Sequence, residues 1–149
     1  MDKMKTKDIN RVAIVVKDFD RAVALYSELL NTTFYPLVIA EGSGVHAAFS
    51  YDAGIEIASP IPGSNEPSAL GLAQHIKEHG EGLYAVVFSV DNVEQARAKA
   101  EEMGIRVLRK VEVDQDEVKR SFQGRYSTFI EYFLNPEDTH GAFVVLGQF

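Results

Sequence analysis

The sequence predicts an α+β fold built from two βαβββ modules. Three observations carry that expectation. The order strand, helix, three strands occurs twice along the 149 residues. Laying Arg11 on Ala85 brings Val12 onto Val86, Val16 onto Val90 and Ala22 onto Ala96, with strand-to-helix boundaries in step. Between the two copies, Pro-Ile-Pro-Gly-Ser-Asn-Glu-Pro at 60–67 reads as a linker. The expected organisation is one domain of two modules, about 8–59 and 82–149, joined by a linker and short helix over 60–81. A repeat of this kind predicts two half-sheets facing one another across a shared cavity.

The elements follow in order. Ile9–Val16 is apolar enough to be a strand buried on at least one face. Asp18 and Asp20 are N-cap candidates, and Phe19, Ala22, Val23, Tyr26, Leu29 and Leu30 then recur at helical spacing as one apolar stripe. Phe34–Ala40, Val45–Tyr51 and Gly54–Ala58 read as three short strands, with Gly-Ser-Gly at 42–44 as a hairpin turn. A short helix over Ser68–Glu78 closes the linker. The second copy reads as strand Leu83–Val90, helix Asp91–Met103 stopped by Gly104, and strands Ile105–Val113, Arg125–Leu134 and Gly141–Leu146. Residues 114–120 read as a solvated helical turn or loop.

Composition narrows the functional classes. Hydrophobic residues make up 46% and charged residues 25%, ordinary values for a packed domain. Acids exceed bases 22 to 15, for a net charge of −7, which argues against wrapping a nucleic-acid backbone. There is no cysteine, so disulfides, thiolate nucleophiles and cysteine metal sites are excluded. The start, MDKMKTKD, lacks the apolar core of a secretory signal, and no apolar run is long enough to span a bilayer. The expected setting is the cytoplasm, with no membrane partner and no nucleic acid. Nine Phe and six Tyr are enough to line a pocket as well as fill a core. Neither a phosphate-binding Gly-rich loop nor a nucleophile elbow is present. Lys119 and Arg120 form a two-residue basic spot, a weak candidate for touching a phosphate.

The segments INRVAIVVKD (9–18), GIEIASP (54–60), HGEGLYAVVFSVDN (79–92) and LNPEDTHGAFVVL (134–146) resemble the vicinal oxygen chelate superfamily. That superfamily includes glyoxalases, ring-cleaving dioxygenases and drug-resistance binding proteins, and the match looks closest to methylmalonyl-CoA epimerases. The resemblance implies paired βαβββ modules in an open, barrel-like sheet around a cavity, usually in a homodimer. It also implies four metal-ligand positions, which fall on Arg11, Glu56, Ala85 and Val145. Only Glu56 is a ligating residue; alanine and valine offer no donor, and arginine repels a cation. The expectation is therefore no metal and no other cofactor.

Strand alternation puts Arg11, Ala13 and Val15 on one face. By the resemblance that face lines the cavity, together with Glu56, Ala58, Ala85, Val87, Phe143 and Val145. Arg11 and Glu56 then converge where a cation would have been, as a guanidinium–carboxylate pair. Such a pair is either an inert replacement for the metal or a working one. In the working case Glu56 moves a proton and Arg11 stabilises a developing enolate oxyanion. His46, in Val-His-Ala-Ala-Phe, is a further proton-handling candidate, although the resemblance favours Ala47 as the inward residue. His75 reads as a surface residue of the linker helix, while His79 and His140 sit in turns and are candidates for the cavity rim. Tyr84, Phe122, Tyr126, Phe129 and Tyr132 are candidate substrate-binding aromatics, with Ala85, His140, Phe143 and Val145 beside them.

The leading reading is a metal-independent racemase or epimerase, an isomerase moving a proton α to a carbonyl of a small ring-bearing or apolar substrate. Dihydrodaidzein racemases of the same superfamily supply the analogy. The alternative is a non-catalytic protein that sequesters a small molecule, as the resistance proteins do. Further alternatives are a metal-dependent, methylmalonyl-CoA epimerase-like enzyme and a relocated metal site using Glu56, His46 or His140.

Overall fold

A computed structural model describes residues 3–149. It contains eight strands, four α-helices and two short 3₁₀ turns among the described residues. The elements run β1 (Thr6–Val15), α1 (Phe19–Leu30), β2 (Tyr35–Pro36), β3 (Val45–Ser50), β4 (Ile55–Pro60), α2 (Pro67–His79), β5 (Gly82–Val90), α3 (Val93–Glu102), β6 (Val107–Glu112), α4 (Gln115–Ser121), β7 (Ile130–Leu134) and β8 (Phe143–Gln148). The class is α+β, and strand, helix, three strands occurs twice, as the sequence predicts. Arg11–Tyr84 forms one compact unit, and the described residues up to Asn10 join Ala85–Phe149 in the other. The division between the two units falls inside β1 and inside β5.

In the unit Arg11–Tyr84 the strand order is β2-β3-β4-β1, with β1 parallel to β4 and the other pairs antiparallel. Asp18 opens α1 as expected: its Oδ1 accepts from the Arg21 N–H at 3.1 Å. The apolar stripe of α1 packs Phe19, Val23 and Tyr26 against Ile14, Val16, Ala48 and Ile57. The other face, which carries Arg11, is covered at its far end by α2, where Leu72 and Ile76 pack on Val15 and Ala58.

The expected strand Phe34–Ala40 shrinks to Tyr35–Pro36, followed by a 3₁₀ turn over Val38–Ser43. Pro36 has no N–H to extend a ladder. The Leu37 N–H still donates to the Ala47 carbonyl at 2.8 Å, but that of Ala40 turns back onto Leu37 at 3.1 Å. Gly44 ends this turn at φ 76°, so the 42–44 stretch is not a tight hairpin. The tightness there is real: a Cβ on Gly44 would collide with Ser64 Oγ and lie 2.9 Å from Ala69 Cβ.

In the other unit the order is β5-β8-β7-β6, again with one parallel pair, β5 with β8. Asn92 and Asp114 cap α3 and α4 through their side chains, accepting N–H groups at 3.1 Å in each case. Val93 and Ala96 of α3 pack on Val90 and Tyr132, with Met4, Val107, Ile130 and Leu146 around them. The expected strand Arg125–Leu134 begins only at Ile130. Before it, Gln123 and Gly124 take positive φ of 51° and 70°, and the chain folds so that Phe122 stacks on Phe129. Burying those two rings against each other outweighs extending the strand.

Candidate functional site

Parallel pairing of β1 with β4 sets Ala13 opposite Glu56. Two residues earlier on the same face, Arg11 reaches along the sheet, and its Nε donates to Glu56 Oε1 at 2.8 Å. Arg11 is 6% exposed and Glu56 18%. Phe49 lies opposite Glu56 on β3, and the Arg11 guanidinium carbon rides 4.4 Å above its ring centroid. A buried guanidinium is thus held between a carboxylate and an aromatic face, the arrangement in which arginine is favoured over lysine. The chain meets the cost of burying both charges by pairing them. Glu56 Oε2 accepts no hydrogen bond from any described residue.

The repeat extends to register. In the second copy Val87, 74 residues after Ala13, lies opposite Val145, as Ala13 lies opposite Glu56. Arg11 and Glu56 therefore have Ala85 and Val145 as their counterparts. Ala85 and Val145 are buried, on the same face of their own sheet as Val87 and Phe143. Within the unit Arg11–Tyr84, Glu56 offers one carboxylate beside the positive charge of Arg11. Among the described residues no group of three His, Cys, Asp or Glu is placed to enclose a metal. A single carboxylate paired to a guanidinium does not by itself make a divalent-ion site.

The remaining candidates separate by strand alternation. His46 pairs with Ser59 on the opposite face from Glu56, and its ring stacks on Phe19 of α1 with centroids 5.4 Å apart. It is not brought to the Arg11–Glu56 pair; a period of two puts neighbours of Ala47 on the helix side. Tyr132 likewise turns away from Phe129, packs under α3, and donates its hydroxyl to Glu94 Oε1 at 2.7 Å. Burial, and then this bond to Glu94, pushes the Tyr132 phenol above its usual range. Tyr84 packs beside Leu72 and Ile76, with its ring edge-on to His75 at 4.7 Å. His79 is the last residue of α2 rather than part of a turn. Burial and the neighbouring His79 hold the His75 imidazole below its ordinary range. His140 is exposed in a turn at φ 62°. Lys119 and Arg120 lie in the last turn of α4, where Arg120 Nε donates to Glu117 at 2.8 Å.

Phe122, Tyr126 and Phe129 do come together, in the unit containing Ala85–Phe149. Phe122 and Phe129 stack at 4.6 Å, Tyr126 lies 5.3 Å from Phe122, and Asn10 donates to the Tyr126 hydroxyl at 3.3 Å. The sequence reading did not include Phe149, whose ring lies 5.0 Å from Tyr126 and 5.2 Å from Phe129. It also passed over Phe49 and Glu131. Glu131 is a 3% exposed carboxylate on β7, opposite Gly147. The signal for Phe49 was its even spacing from the inward Ala47. For Glu131 it was a single acid inside the apolar run Phe-Ile-Glu-Tyr-Phe-Leu.

A family model described as the Glyoxalase/Bleomycin resistance protein/Dioxygenase superfamily matches residues 10–129. The human mitochondrial methylmalonyl-CoA epimerase is 30% identical over 142 residues, covering 94% of this chain and 73% of that protein. Among solved structures, a variant of the Streptomyces coelicolor methylmalonyl-CoA epimerase in complex with 2-nitronate-propionyl-CoA aligns with TM-score 0.73. It is 21% identical, over 97% of this chain and 98% of the other. The methylmalonyl-CoA epimerase of Mycobacterium tuberculosis also aligns with TM-score 0.73, at 18% identity, over 96% and 88% of the two chains. At these identities the structures show a shared fold.

Proposed function

Because the chain belongs to the glyoxalase/bleomycin resistance protein/dioxygenase superfamily, we propose that it is an epimerase or racemase that exchanges a proton α to a carbonyl. The observation that supports this reading is the buried 2.8 Å contact of Arg11 with Glu56, which sets a carboxylate beside a fixed guanidinium. The likeness to the human methylmalonyl-CoA epimerase supports the reaction class.

In this reading Glu56 Oε2 accepts the α-proton, and the C–H electron pair moves into the carbonyl to give an enolate. Arg11 donates N–H groups to the oxyanion, the electrostatic task for which a fixed guanidinium needs no further charge. Phe49 keeps the guanidinium in plane while this happens. The enolate electrons return to carbon as it takes a proton, from the Glu56 carboxylic acid with retention or from water on the opposite face with inversion. In the latter case Glu56 passes its proton to the hydroxide left behind. No step passes through a metal.

Arginine alone is a weaker electrophile than a divalent cation, so the substrate class that fits is one with a comparatively acidic α-proton. A ketone beside a ring, as in dihydrodaidzein-type isoflavonoids, fits better than a thioester. Methylmalonyl-CoA belongs in the test set because of the relatives. The experiment is incubation with both substrate types in deuterated water, followed by mass spectrometry of the α-position. We expect deuterium to enter the ketone, chelators of divalent ions to leave the rate unchanged, and Glu56→Gln to lower it about 10²- to 10⁴-fold. A ligand that binds but never exchanges would instead make this a sequestering protein.

A further inference from the structure

The last turn of α2 holds a group of ligating side chains that the Arg11–Glu56 reading does not use. The sequence there is His75-Ile-Lys-Glu78-His79. Residues four apart on a helix emerge from the same face, one turn above the other. His75 and His79 meet this condition in space: their ring centroids are 4.8 Å apart with 37° between the planes. Two imidazole nitrogens that share a cation at about 2.0–2.1 Å each need rings at about this separation.

The two rings are held differently. His75 is half-buried and sits edge-on to Tyr84, 4.7 Å away at 87°, which limits its freedom before any ion arrives. His79 is 65% exposed, and its Nε2 lies 3.9 Å from a carboxylate oxygen of Glu78. Gln74 Nε2 donates to the other Glu78 oxygen at 2.6 Å and keeps that acid on the same turn. This C-terminal end of α2 also carries the negative pole of the helix, which favours a cation. Lys77, in the same turn, is the opposing charge.

We propose that His75 and His79 form a surface site for a borderline divalent transition cation, Cu²⁺, Ni²⁺ or Zn²⁺, with Glu78 beside it and water completing the shell. No third His, Cys, Asp or Glu among the described residues encloses the position. The site is therefore open and exchangeable, unlike a closed structural centre. Affinity follows the general order for nitrogen ligands, with Cu²⁺ above Ni²⁺ and Zn²⁺. By spanning two turns, the ion clips the end of α2 just before Gly80, and it stabilises the folded chain because the unfolded one lacks the spacing.

The site is independent of the epimerase reading, and its test does not use activity. Cu²⁺ is titrated into the full chain at neutral pH and followed by calorimetry and electron paramagnetic resonance, with thermal melting alongside. We expect one Cu²⁺ per chain with two nitrogen ligands and a rise in melting temperature. His79→Ala, at an exposed position, and His75→Phe, which keeps a ring against Tyr84, should each weaken binding by at least about tenfold. Equal binding by the doubly substituted chain, or no stoichiometric binding by the unaltered one, would overturn the assignment.

Discussion

Arg11 is the residue on which most of this molecule's local chemistry turns. It is 6% exposed, donates to Glu56 at 2.8 Å, and lies 4.4 Å over Phe49. Losing one member of a buried pair leaves the other charged and poorly solvated, whereas replacing both by apolar groups is often tolerated. Arg11→Met should therefore lower stability by about 3 kcal/mol, and Arg11→Met with Glu56→Leu should recover most of that loss in urea denaturation. A double variant as unstable as the single one would mean that the site needs the charges themselves to fold. The pairing of Arg11 with Glu56 was legible in the sequence through the family resemblance, which sets both at ligand positions on one face. Glu131 was not, because a strand reading that ran from Arg125 obscured which face each residue of β7 would take. The same alternation, applied from the true start at Ile130, places Tyr132 under α3 and Glu131 on the other face.

Elements were readable where one rule sufficed. Although the caps Asn92 and Asp114 of α3 and α4 went unread, the N-cap and the apolar stripe of α1 follow from residue type and spacing alone. The 3₁₀ turn at Val38–Ser43 and the bend before β7 did not, because long-range packing decides them: Ile61 N–H on the Gly44 carbonyl at 2.8 Å, and Phe122 on Phe129. The tie between α3 and β7 gives a test that depends on pH. The Tyr132 hydroxyl is the main cause holding Glu94 below its usual range, with Arg97 and Lys110 assisting. A carboxyl lowered in the folded state stabilises above its unfolded value near 4.5 and loses that contribution as pH falls through the folded value. Tyr132→Phe should move the Glu94 midpoint upward in a carboxyl NMR titration. The stability gap to the parent chain should be widest near neutrality and narrow in acid. An unmoved midpoint would mean that Arg97 and Lys110 suffice.

At the scale of the whole molecule, strand, helix and three strands occur twice along the chain, and the two compact units divide within β1 and within β5. Lys5 and Asp91 exchange two hydrogen bonds, N–H to Oδ1 at 2.8 Å and carbonyl to N–H at 3.0 Å. Met4 adds to the cluster of Val90, Val93, Ala96 and Tyr132. Removing residues 1–8 should therefore speed amide exchange in β5 and α3 well before β3 and β4, as read by hydrogen–deuterium mass spectrometry. Faster exchange first in β3 and β4 would place the N-terminal strand with the wrong unit. The first strand passes from one unit to the other between Asn10 and Arg11. A cut in the Pro-rich segment would leave the leading fragment holding a length of strand that the trailing fragment folds around. The chain is thus laced through its own duplication: the later unit is completed by residues that precede the earlier one.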